Sequence, residues 1–203
     1  MPKLVDDSLW VPIQISYPNP QLIGWVNRQY VVPQVAPSVY CADPNLRAIV
    51  DEVIEAVRTQ NGKRLAKVIT PGRGLHLGGY HWEHMLPFSE REVTIFFTDT
   101  TYRDWGQSEY GAAIQGSLPD VIVPLLKDNL LGKNESFACN DIQDGTEGID
   151  HFYINSGINA LPFYSVLRPN IGSGFDWGAW IFGFDYWQGV PTLSVLAYNF
   201  FTP

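Results

Sequence analysis

A chain of 203 residues with a formal net charge of -8 and a pI near 4.8 has room for one domain with a sizeable core. Its acidity disfavours nucleic-acid backbones and anionic membrane surfaces as partners, and no run approaches the ~18 apolar residues of a spanning helix. Charged residues are sparse at 17% and aromatics reach 14%, with 7 Trp, so burial has to come largely from wide rings that carry a polar edge.

Residues 1–43 read as an irregular arm packed on the domain. Pro2, Pro12, Pro18, Pro20, Pro33 and Pro37 recur too often for a helix. Trp10 to Tyr17 alternates loosely and is a candidate edge strand, as is the short run from Tyr30, with Pro barring either from a sheet centre. The first residues lack the apolar core of a signal peptide, which leaves the localisation open.

The domain itself is read from residue 44 to residue 203. Asp43 is a good N-cap and Pro44 suits the first helical position. Leu46, Ile49, Val50, Val53, Ile54 and Val57 then form one apolar stripe at helical period. Gly62 is expected to end this helix in the left-handed region, and a short second helix runs from about Lys63 to Ile69. Thr70 to Gly74 is a loop, followed by an aromatic, His-rich stretch from Leu75 to Met85 that Gly78 and Gly79 interrupt. Glu92 to Phe97 reads as a strand from its β-branched and aromatic content. Thr98 to Gly116 reads as a long polar loop. Ser117 should cap a helix from Leu118 to Leu131, kinked at Pro124 and closed by Gly132. Asp150 to Ile154 is a further strand candidate.

The strongest β signal is the last forty residues. Trp177 to Trp187 and Val190 to Phe200 are extended, and Gln188-Gly189 between them suits a tight turn. Alternation places Trp180, Phe182, Phe184 and Tyr186 on one face of the first strand. In the second, Leu193, Val195, Ala197 and Asn199 should oppose Leu196, Tyr198 and Phe200. Apolar residues on both faces point to a central hairpin with helices on one side and a cavity or partner on the other. Cys41 and Cys139 either pair in an oxidising compartment or stay as buried thiols, and the thiol reading is the commoner one for isolated cysteines.

The order of these elements resembles the NTF2-like (cystatin-like) superfamily, and within it a bacterial group of NTF2-like domains. Three motifs carry the resemblance: Leu65-Ala-Lys-Val-Ile-Thr-Pro71-Gly-Arg-Gly74-Leu-His76, then Asp104-Trp105-Gly106, then Asp176-Trp177 through Gly189 to Phe200. It covers roughly residues 44 to 201. The chain departs from the pattern at Thr70, where His is common in that group, and after Tyr198, where a His and a Trp are common. The resemblance implies an α+β fold, a cone in which a curved antiparallel sheet packs against N-terminal helices around a conical pocket. It implies no particular reaction, because the superfamily holds enzymes and binding modules alike.

Candidate chemistry lies in the same segments. His76, His81 and His84 lie close together in sequence with Glu83 among them, but the spacing matches no standard zinc signature, so neither a metal nor another cofactor is expected. A proton-transfer pair could come from His81 or His84 with Asp104 or Asp176, tuned by burial; the plainer role for Asp176 is to cap backbone N–H groups before a strand. Tyr80, Trp82, Trp105, Trp180 and Tyr198 are the candidate ligand-binding rings, set against the alternative that they are core. The expected function is a non-catalytic binding module for a small, largely apolar or aromatic ligand or a partner protein. The alternative is a small-molecule hydrolase, isomerase or cyclase. A homodimer through the sheet face is a further expectation.

Overall fold

The computed structural model describes residues 4–5, 8–15, 22–27, 35–79, 85–108, 111–132, 136–141, 161–168 and 178–200. They fall into two units, residues 1–34 and residues 35–203. In the first unit, β1 (Leu4–Val5), β2 (Ser8–Ile15) and β3 (Leu22–Asn27) form an antiparallel sheet in that order. The expected irregular segment thus carries strands. Pro12 is tolerated in β2 because, among the described residues, β1 pairs only with Ser8 and Leu9, leaving an edge where no N–H is needed. The strand candidate from Tyr30 and that of Asp150 to Ile154 lie outside the described residues.

In the second unit, α1 (Pro37–Tyr40) leads into α2 (Pro44–Thr59). Asp43 accepts a 2.9 Å bond from the Asn45 N–H, and the stripe buries Leu46, Ile49, Val50, Val53, Ala56 and Val57. Gln60, not Gly62, takes the left-handed cap at φ 51°. Gly62 instead opens α3 (Gly62–Ala66), capped by Asn61. A Cβ there would lie 2.5 Å from the Thr94 carbonyl oxygen, so the glycine serves a close approach to α4 (Glu90–Thr94).

That α4 replaces the strand expected over Glu92 to Phe97. Ser89 and Glu92 form a capping box in which Glu92 Oε2 accepts from the Ser89 N–H at 2.9 Å. Reciprocal satisfaction of two backbone donors outweighs the β preference of Val93 and Ile95. The expected polar loop also holds structure, a hairpin of β6 (Arg103–Gln107) and β7 (Ala113–Gly116). The helix after Ser117 breaks at Pro124 into a π-helical turn, Leu118–Ile122, and α5 (Val123–Leu130). Pro124 cannot donate to the Asp120 carbonyl, and the wider turn accommodates its ring.

The large sheet contains β4 (Leu75–Gly78), β5 (Met85–Phe88), β8 (Ser136–Cys139), β9 (Phe163–Arg168), β10 (Gly178–Trp187) and β11 (Val190–Phe200). Its order is β5-β4-β11-β10-β9-β8. It is mixed rather than wholly antiparallel, because β4 runs parallel to β11. The architecture is therefore α+β, with α2 and α5 against the sheet. Gln188 and Gly189 both have positive φ, 52° and 84°, which suits a type I′ turn and the twist of the flanking strands.

The pairing shifts after Gly183, which faces Val195, whereas Phe184 faces Leu193. Ser194 is the extra residue, and it corrects the alternation expected for β11. Leu193 joins Leu196 and Tyr198 in the helix-side core with Trp180, Phe182 and Phe184. Val195 and Ala197 lie in a second cluster with Ile181 and Phe163. Both faces of the hairpin are buried within the single chain.

The loop after α3 is seated on the hairpin. The Thr70 N–H donates to the Leu193 carbonyl at 2.9 Å, and the Leu193 N–H donates to the Val68 carbonyl at 2.7 Å. Arg73 Nη1 reaches Asp185 Oδ2 at 2.8 Å, with the carboxylate nearly buried. Cys41 and Cys139 are joined by a disulfide with their Cα atoms 5.7 Å apart, so the pairing reading replaces that of buried thiols. Beside it, the Tyr40 hydroxyl donates to Asn140 Oδ1 and the Tyr186 hydroxyl to Asp43 Oδ2 at 3.2 Å. Burial pushes both phenols up to about 12, helped by Tyr186 for Tyr40 and by Asp43 for Tyr186, so both remain donors at neutral pH.

Two loop glycines separate backbone strain from collision. Gly72 and Gly74 have φ of 71° and 73°, but a Cβ on Gly72 meets nothing within 4 Å while one on Gly74 would lie 2.0 Å from the Phe88 carbonyl oxygen. Gly72→Ala is expected to cost about 1 kcal/mol. Gly74→Ala should cost roughly 3 kcal/mol or more, because the loop must also leave β5. Urea unfolding of the two variants measures the difference, and equal losses would contradict this account of the loop.

Candidate functional site

The described candidate residues occupy two places. The first is the β6–β7 hairpin. Trp105 is 1% exposed, its Nε1 donates to the Gly116 carbonyl at 3.0 Å, and its ring stacks on Phe88 with centroids 6.4 Å apart. It serves as core. Asp104 lies on the exposed side, where Oδ1 accepts from the Gly106 N–H at 2.9 Å and Oδ2 from Gln115 Nε2 at 3.5 Å. Those bonds shape the turn within the strand. Arg103 lies 4.8 Å over the Phe88 ring and bonds Asp99 at 2.7 Å. Burial alone would raise the Asp99 carboxyl, but bonds from Thr101 and Arg103 hold it below its ordinary value. Glu92 is also lowered, chiefly by the Ser89 hydroxyl.

The second place is under α5. Trp180 of β10 and Tyr198 of β11 bring their rings together at 5.0 Å, and Trp180 is 0% exposed. Sequence reasoning passed over their neighbour Asn129. It lies on the buried side of α5 with Leu126 and Leu130, and an amide inside an apolar helical stripe was the available signal. Asn129 Nδ2 donates to the Leu125 carbonyl at 3.0 Å and to the Tyr198 hydroxyl at 3.2 Å. Trp180 Nε1 points at the same carbonyl from 3.4 Å. The residue is 0% exposed, yet its Oδ1 accepts from no donor among the described residues. Such a buried acceptor costs about 1–3 kcal/mol, so something should offset it.

His76 lies exposed on β4 between the buried Leu75 and Leu77. Tyr80, His81, Trp82, His84 and Asp176 lie outside the described residues. Among the described residues no group of three or more His, Cys, Asp or Glu side chains is placed to hold a metal. No helix among them is long and apolar enough to cross a membrane. Comparison with known proteins gives no match: no family model, no curated protein and no solved structure matches the chain.

The Asp99–Arg103 pair yields a pH test. A lowered carboxyl contributes stability that is present above its unfolded value and lost as pH falls through its folded one. The gap in urea midpoint between the native chain and Asp99→Asn should be wide at pH 7 and close below roughly pH 4. A gap of equal width at both pH values would mean that the charge contributes nothing.

Proposed function

We propose that residues 44–203 form an NTF2-like binding domain without catalytic activity, which takes a small, largely apolar or aromatic ligand between α5 and the helix-facing side of β10 and β11. The observation that carries this reading is Asn129 Oδ1, which has no donor among the described residues and lies beside the Trp180–Tyr198 ring pair. Apolar surroundings with one placed acceptor suit a flat ligand that brings a single donor. The element order supports the family reading: an amphipathic helix, a short helix, the loop of Thr70 to Gly74, sheet strands and a closing hairpin. The π-helical turn ahead of α5 adds to it, since such turns recur at functional sites.

A small ligand is preferred to a partner protein or a second copy of the chain. The central apolar residues on the far face of the sheet, Ile181 and Ala197, are already buried within one chain. A binding role is preferred to acid–base catalysis because both carboxylate oxygens of Asp104 are engaged in its own hairpin.

Naphthalene and 2-naphthol make a matched pair of probes, followed by tryptophan fluorescence. 2-Naphthol should bind roughly five-fold more tightly, the worth of about 1 kcal/mol for one neutral hydrogen bond. Asn129→Leu should abolish that preference while keeping the affinity for naphthalene. Equal affinities in the native chain, or no binding of either probe, would contradict the proposal.

A further inference from the structure

Both cysteines of the chain are spent on one bond, between residues 98 apart. The bond joins the C-terminal end of α1 to the end of β8. The strand it holds is weak by itself. β8 has four residues, all half-buried, and among the described residues it lies at the sheet edge, paired with β9 alone. A short edge strand gains little from its own burial and few ladder bonds.

Three non-covalent contacts converge on the same junction. The Tyr40 hydroxyl bonds Asn140, next to Cys139. The Arg47 guanidinium lies 3.6 Å over the Phe137 ring. The Tyr186 hydroxyl bonds Asp43, the cap of α2. Two of these reach the β8 segment and one reaches β10, so the fold brings the cysteines together from both sides. A cross-link over so long a separation removes much of the freedom of the unfolded chain.

We infer that the Cys41–Cys139 bond is a structural clamp, made in an oxidising compartment, which fixes edge strand β8 to the α1–α2 junction. Its formation is an ordinary exchange. One cysteine thiolate attacks a disulfide of an oxidoreductase or of oxidised glutathione and expels one thiol. The second thiolate then attacks the mixed disulfide and expels the other. Two thiols of the chain are oxidised by two electrons, and the donor disulfide is reduced to two thiols. Reducing compartments do not sustain such a bond in most proteins.

The test uses the full chain, produced in a bacterial periplasm and purified without reductant. Thiol titration in denaturant should find no reactive thiol before treatment with a phosphine reductant and two per chain after it. Reduction should lower the thermal midpoint by roughly 10 °C. It should also speed amide exchange in residues 136–139 and 163–168 roughly tenfold or more, with the amides of α2 and the β10–β11 hairpin far less affected. Cys41→Ser/Cys139→Ser should reproduce the reduced state. Should that variant fail to fold, reduction of the folded native chain reads the same quantities. Two reactive thiols in the untreated chain would overturn the bond and, with it, the oxidising compartment. An unchanged midpoint with unchanged exchange in β8 would overturn the clamp.

Discussion

The single extra residue in β11 is the constraint on which the rest of the domain depends. A strand that alternated strictly would turn Leu193 away from Leu196 and Tyr198 and leave a gap in the helix-side layer. The bulge at Ser194 restores Leu193 to that layer, where it joins Leu196, Tyr198, Trp180, Phe182 and Phe184. One inserted position thus sets which residues α2 and α5 pack on. It also leaves Val195 and Ala197 for the opposite cluster. A hairpin buried on both faces needs this kind of local correction, because each face must be complete.

The bulge is held from outside by the loop after α3. Val68 and Thr70 bracket Leu193 with two backbone hydrogen bonds, and the Thr70 and Thr192 hydroxyls meet at 2.9 Å. Arg73 then reaches the nearly buried Asp185 on the neighbouring strand. Removing one member of that pair would strand the other in a poor solvent, so the bridge specifies the register more than it adds net stability. The same loop lies against β5 through Gly74, so helix layer, hairpin and sheet edge meet there.

Much of this frame was legible. The stripe of α2, its Asp43 cap and the Gln188-Gly189 turn follow from short-range rules that act on neighbouring residues. The failures have physical causes of the same kind. Ser89 and Glu92 form a capping box in the sequence, but the β-rich run after them masks it. Gly62 resembles a helix cap, yet the close approach of α4 is what requires it. The polar stretch before Gly116 hides a hairpin because its buried anchor is one residue, Trp105. The bulge at Ser194 leaves no mark in composition, since it is decided by fit between strands. Of the candidate site, Trp180 and Tyr198 were legible as rings on the hairpin. Asn129 showed in the sequence only as an amide inside an apolar helical stripe, because its meaning comes from a carbonyl oxygen left without a donor among the described residues.

These elements converge on the layer beneath α5. A π-helical turn leads into the helix, an aromatic pair closes the layer from the sheet, and the Asn129 amide oxygen on α5 has no donor among the described residues. A ligand that supplies that donor would remove a standing cost of the fold, which is why binding and not catalysis is the preferred reading. The most direct measurement is a crystal structure of the chain soaked with 2-naphthol. The hydroxyl should lie about 3 Å from Asn129 Oδ1 with its rings against Trp180 and Tyr198. A packed layer with no ligand density, and Oδ1 satisfied by a buried water, would contradict it.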